Sequence, residues 1–146
     1  MADSIRERIL KEVRERLLLT NSVGGRVYRS RAEAASRAEM PMLIVTPISD
    51  AAERVTSVHR VDRKLMVRIA VLVRGDVPDQ EADPILQSLH KLLMPTVAGG
   101  WVDVTLGGLV VDMAQDGDDF EFAFTEGVVI VQYMIHYRHS EGDLAT

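Results

Sequence analysis

Residues Val55 to Arg74, VTSVHRVDRKLMVRIAVLVR, decide how this chain folds. From Lys64 onward, Leu65, Val67, Ile69, Val71 and Val73 fall on one side of an extended chain. Lys64, Met66, Arg68, Ala70, Leu72 and Arg74 fall on the other. Successive side chains of a strand point to opposite faces, so the stretch predicts a strand with one apolar face and one mixed face. Val55, Ser57, His59 and Val61 continue a weaker alternation upstream, with charges at Arg54, Arg60, Asp62 and Arg63. Twenty residues far exceed the usual strand length of about five or six. The expectation is therefore a bulge, or two strands joined by a tight turn near Val61–Arg63. One long strand projecting past its sheet is the preferred form, with the projecting half open to a neighbour.

The bulk composition narrows the class. A chain of 146 residues fits one domain with a real core. Its 47% apolar and 27% charged residues suit a soluble globular protein. A formal charge of −5 and a pI near 5.3 argue against a general nucleic-acid binder, which needs a basic face for phosphates. With no cysteine, disulfides, thiolate metal sites and thiol nucleophiles are excluded. The longest apolar runs are too short to span a membrane, and the N-terminus lacks an apolar signal core, so a cytoplasmic protein is expected.

Around the organising strand the other elements fall into place. Ser4 and Glu7 form a Ser-x-x-Glu capping box, followed by Ile5, Ile9, Leu10, Val13, Leu17 and Leu18 at helical spacing. A helix is expected from Ile5 to Leu19. Gly24 and Gly25 permit a turn, and Arg26-Val27-Tyr28 can add an edge strand. Arg29, Arg31 and Arg37 lie in a polar segment with Glu33 and Glu39 as counter-charges, read as a solvated loop or short helix. Pro41 to Pro47 reads as a short buried strand and Ile48 to Glu53 as a connection. A second helix ends near Met94 because Pro95 cannot continue it; Asp79 or Asp83 would cap its start. Leu109–Ala114 and Phe120–Phe124 read as hairpin arms around Asp116-Gly117. A last alternating strand covers Val128–Arg138, after which residues 139–146 should fray. The sum is an α+β fold: two layers, a mainly antiparallel sheet of about four to five strands, two principal helices on one face. It forms one domain over 1–146 with an ordered core of 4–138.

Chemical motifs are scarce. His59, His90, His136 and His139 offer neither a His-x-His pair nor a helical i, i+4 pair for zinc. Asp112 as the first position of a calcium loop puts Gly117 at the sixth, but Ala114 at the third and Ala123 at the twelfth. The bidentate glutamate is missing and the reading fails. No Gly-x-Ser-x-Gly elbow or dinucleotide glycine loop occurs. No enzyme, cofactor or metal site is expected.

The order of parts carries a resemblance. Val23-Gly24-Gly25-Arg26-Val27-Tyr28-Arg29-Ser30-Arg31 follows the first helix. Then come Met40-Pro41-Met42-Leu43-Ile44-Val45 and a long strand closing in Val73-Arg74-Gly75-Asp76. The second helix, Leu109-Val110-Val111-Asp112 and the late alternating strand complete the series. From about Ile5 to Arg138 this resembles the tail terminator and tail completion proteins of long-tailed bacteriophages, including the lambda-type minor tail protein U. The resemblance implies a non-enzymatic subunit of a phage or prophage, without cofactor. It would form a ring, six-fold in that family, at the head-proximal end of the tail tube. Such a ring stops tube polymerisation and meets the head–tail connector. The partners would be further copies, the tube protein and the connector, with assembly in the bacterial cytoplasm and residence in the virion tail. Arg54, Arg60, Asp62 and Arg63, with Arg29 and Arg31, are the candidate ring contact. Asp116, Asp118, Asp119 and Glu121 are read as a hairpin tip facing the lumen or a partner, since acidic walls do not grip DNA. The alternative is a homodimeric small-ligand or regulatory domain with a pocket at Trp101 and His136.

Overall fold

The computed structural model describes residues 2–30, 39–55, 59–123 and 126–146. In chain order these form α1 (Ile5–Leu17), β1 (Val27–Arg29), β2 (Met42–Val55), β3 (Arg60–Arg74), α2 (Pro78–Leu93), β4 (Asp112–Ala123) and β5 (Glu126–Ser140). The strands make one sheet in the order β1-β2-β3-β5-β4. All pairings are antiparallel except β1 with β2, which is parallel. The α+β class expected from the sequence is the class observed.

β3 sits at the centre, flanked by β5 along its whole length and by β2 from Arg60 to Leu72. Leu65, Val67, Ile69, Val71 and Val73 are all buried, as the alternation requires. Their neighbours across the sheet, Leu43 and Val45 on β2 and Val129, Val131, Tyr133 and Ile135 on β5, complete an apolar face. Onto it pack Ile5, Ile9, Leu10, Val13 and Leu17 of α1 and Ala82, Ile85, Leu89 and Leu93 of α2. Each large side chain taken out of water there contributes roughly 1.5–3 kcal/mol.

Val55 belongs to β2 rather than β3, and pairs with Arg60. The organising stretch thus spans a long hairpin whose reversal lies between these two residues, not at Val61–Arg63. Nor does β3 project: Arg60–Lys64 pair with β2 on one side and with His136–Ser140 on the other. Ile48 to Glu53, expected as a connection, is strand, with a bulge at Ile48 where the register shifts between Pro47 and Ser49. Pro47 is tolerated because β1 covers β2 only at Leu43–Val45.

The Asp116-Gly117 pair also differs from expectation. It is a bulge inside one continuous strand, β4, with the register shifting between Gln115 and Gly117. The chain reverses instead between Ala123 and Glu126. Gly117 has φ +139, a conformation that side-chain-bearing residues rarely adopt.

Ser4 caps α1 by accepting the Glu7 amide at 3.1 Å. Glu7 does not reach back; its two carboxylate oxygens take Arg29 Nη1 at 2.9 and 2.7 Å. For α2 neither aspartate caps the start. Val77 holds that position without a side-chain cap, and Pro78 stands in the first turn, where a missing N–H costs nothing. Pro84 lies inside this helix with its ring exposed. β5 runs two residues past Arg138, and His139 is buried. The tail does not fray as expected: Leu144 O accepts the Ile5 amide at 2.9 Å, and Ala145 O accepts Arg8.

Candidate assembly interface

Cross-strand partners share a face, so the register sorts the candidate residues. Both helices cover the face that carries Leu65 and Ile135. The opposite, open face carries Asp62, Lys64, Met66, Arg68, Ala70 and Leu72 of β3. Beside them lie Ile44 and Thr46 of β2 and Ile130, Gln132, Met134 and His136 of β5.

The expected ring contact does not gather on one surface. Arg63 pairs with Ala52 and Tyr137 on the helix side, where its Nε donates to His139 Nε2 at 3.0 Å. Arg54, in the same row set, ion-pairs with Glu141 at 2.6 Å. Arg60 lies at the strand end and donates to Thr146 O at 3.2 Å. Asp62 is on the open face, accepting from Arg138 Nε at 2.5 Å. Arg29 is held by Glu7. Arg31, and Arg37 beside it, lie outside the described residues.

The acidic residues Asp116, Asp118, Asp119 and Glu121 are all exposed on β4, which ends the sheet. They form a strand edge, not a hairpin tip. Asp118 faces the helix side opposite Val131, while Asp119 and Glu121 face the open side with Ile130 and Val128. None of the four is in an ion pair among the described residues.

Two groups escaped the sequence reading. Asp50, on the helix face, has a side chain only 8% exposed. It accepts from Tyr137 Oη at 2.5 Å and Arg6 at 3.2 Å, with Arg63 at 3.9 Å. Burial and then the Asp50 contact raise the Tyr137 phenol well above its ordinary range, so it stays protonated and donates. This network was hidden because Asp50 read as part of a connection. The second is Arg68, in the middle of the open face, whose Nε is sealed from solvent with no acceptor among the described residues. Its place in the mixed row of β3 was the available signal.

Around Asp62 the open face forms a hollow of about 690 Å³ lined by Glu53, Asp62, Lys64, Asp112, Met134 and His136 among others. The hydrogen bond from Arg138, above all, holds the Asp62 carboxyl below the ordinary carboxylate range. His136 Nε2 stands 3.5 Å from Asp62. Trp101, the other residue of the alternative pocket, is 76% exposed in the loop closed by the Thr96–Val102 bridge and does not line this hollow. A smaller hollow of about 300 Å³ lies between α2 and β4, where His90 Nδ1 is 2.8 Å from Tyr133 Oη. Among the described residues no group of three or more histidines and carboxylates is placed to hold a metal, and no helix is long and apolar enough to cross a membrane.

The architecture defines a two-layer α+β domain, and that architecture recurs in a known particle. A chain of the virion of a native gene transfer agent particle superimposes with a TM-score of 0.58 at 10% identity. The match covers 87% of this chain and 92% of that one. No family model matches the chain, and no curated protein does. The two chains share a fold.

Proposed function

We propose that this chain is a non-enzymatic structural protein of a phage or phage-like tail. It forms a ring that caps the tail tube, stops its growth and joins it to the head connector. The observation that carries the reading is the shared fold with a virion chain over nearly the whole length of both molecules. The order of parts shared with tail terminator proteins supports the same role. So does the sheet face opposite the helices, where Met66, Arg68, Gln132 and Met134 are partly exposed in a lone subunit. In this reading the partners are further copies, the tube protein and the connector, and the site of action is the head-proximal end of the tail. The β2–β3 end, with Arg54, Arg60, Asp62 and Arg63, is proposed as part of the contact zone, Asp62 being on the open face. Arg29, paired with Val45 further along the sheet, and Arg31, outside the described residues, are proposed members of the same contact. The acidic β4 strand serves as a partner-facing element.

Light scattering after size exclusion, with negative-stain images of the large species and an assay for capping of purified tail tubes, tests the proposal. Rings, or capped tubes that no longer elongate, are expected. A strict dimer that neither forms rings nor caps tubes would overturn it in favour of a homodimeric binding domain.

A further inference from the structure

α1 and α2 pack on one face of the sheet; among the described residues no helix packs on the other, where Met42 is nevertheless buried. The centre of that face is apolar, built from Ile44, Met66, Leu72, Ile130 and Met134, with Arg68 among them. Arg68 Nε is shut off from water by its neighbours and has no acceptor among the described residues. A buried guanidinium hydrogen without a partner is costly, and the usual remedy is a carboxylate. Lys64, four residues along the same row, is exposed, but its own subunit's Glu53, Asp62 and Asp112 line the hollow beside it.

The molecule carries matching carboxylates where its own Arg68 does not use them. β4 presents Asp112, Asp116, Asp118, Asp119 and Glu121 with no basic residue between them. In the row of Arg68 the β5 residue is Gln132 and the β4 residue is Gly117, so two strand spacings, about 10 Å, separate Arg68 from β4. Arg68 at the centre of the face and the β4 carboxylates at its edge are opposite in charge and too far apart to pair within one subunit. Pairing β4 with β4 of a second copy would set like charges against each other. Contact between the acidic strand of one copy and the centre of the open face of the next, around Arg68, avoids this. Such a contact is heterologous, and repeating it closes a ring or runs on as a filament.

We propose that the open sheet face of each subunit receives the acidic β4 strand of a neighbouring copy, with Arg68 taking a carboxylate from Asp116, Asp119 or Glu121. The apolar residues around Arg68 exclude water from this pair and so strengthen it. The inference rests on the ring reading for its closure and goes beyond it by naming the two surfaces that meet.

The test uses full-length protein and reads mass by light scattering. Asp116→Lys/Asp119→Lys reverses the strand at two exposed positions, and Arg68→Glu reverses the face. Each variant alone is expected to fall from the wild-type assembly to the mass of one subunit. An equimolar mixture of the two is expected to regain the assembly, because the reversed strand complements the reversed face. Arg68→Met, which keeps the apolar stem, guards against misfolding of Arg68→Glu and should also lose assembly while melting as a folded protein. In this cysteine-free chain, Thr46→Cys with Asp119→Cys should give disulfide-linked ladders on oxidation, and neither single variant should. If wild type forms rings and the β4-reversed variant forms them equally well, the inference is overturned and the ring reading stands. If wild type neither forms rings nor caps tubes, both fall.

Discussion

Asp62 shows how one side chain on the open face is tied to its own subunit. Its carboxylate is held by Arg138, in a pair whose members are 23% and 46% exposed. A partly exposed pair of this kind contributes under about 1 kcal/mol. Because the folded pKa lies below the unfolded one, that contribution is complete above the ordinary carboxylate pKa, about 3.9, and is lost as pH falls through the lower folded value. Asp62→Asn should therefore be slightly less stable than wild type at pH 7 by urea denaturation, and the two should converge as pH drops below about 4. A gap that stayed constant down to pH 2 would mean that the pair's charge does not contribute. Arg68, three rows away, has no acceptor for its Nε among the described residues, which separates a residue that steadies the subunit from one available to a neighbour.

At the scale of elements, local periodicity was readable and register was not. The alternations in β3 and β5 and the 3.6-residue pattern of α1 belong to single segments, so sequence suffices. Where the chain reverses is decided by two segments together. Thr56, Ser57, Val58 and His59 contain no glycine, proline or asparagine to mark a turn, and both arms around them alternate. The hairpin therefore looked like one strand. The Asp116-Gly117 pair carried a turn signature but is used as a bulge, because β5 continues opposite it. Of the candidate site, the acidic strand and the mixed row of β3 were legible as patterns. The pairing of Arg63 with His139 and of Arg54 with Glu141 was not, because it joins residues far apart in the chain. The cap of α1 gives an element-scale prediction. Ser4→Ala removes the acceptor of the Glu7 amide and should cost about 1 kcal/mol, read as a lower urea midpoint at unchanged slope. Glu7→Ala frees Arg29 but leaves the cap in place, so its effect should add to that of Ser4→Ala only partly, the two residues being in contact.

For the whole molecule, the last residues act as a clasp across the open end of the core. Leu144 O takes the Ile5 amide, Ala145 O takes Arg8 and Thr146 O takes Arg60. Deleting Gly142–Thr146 removes all three acceptors and uncovers the space above His139, which Leu144 helps to line. At about 1 kcal/mol net for each hydrogen bond, and about 2–4 °C for each kcal/mol, the melting temperature should fall by several degrees. An unchanged melting temperature would mean that the tail contributes nothing to the fold. The central position of β3 also sets an order for closing the sheet. Its link to β2 spans five positions, from 55 to 60, whereas its link to β5 spans 52, from 74 to 126. The longer closure costs about 2 kcal/mol more in chain entropy. The β2–β3 hairpin is thus the cheaper nucleus, and β5 joins it carrying β4 on its other side. Until it does, a nascent subunit exposes one edge of its most apolar strand, so the interval between the two closures is when this chain is most open to mispairing during synthesis.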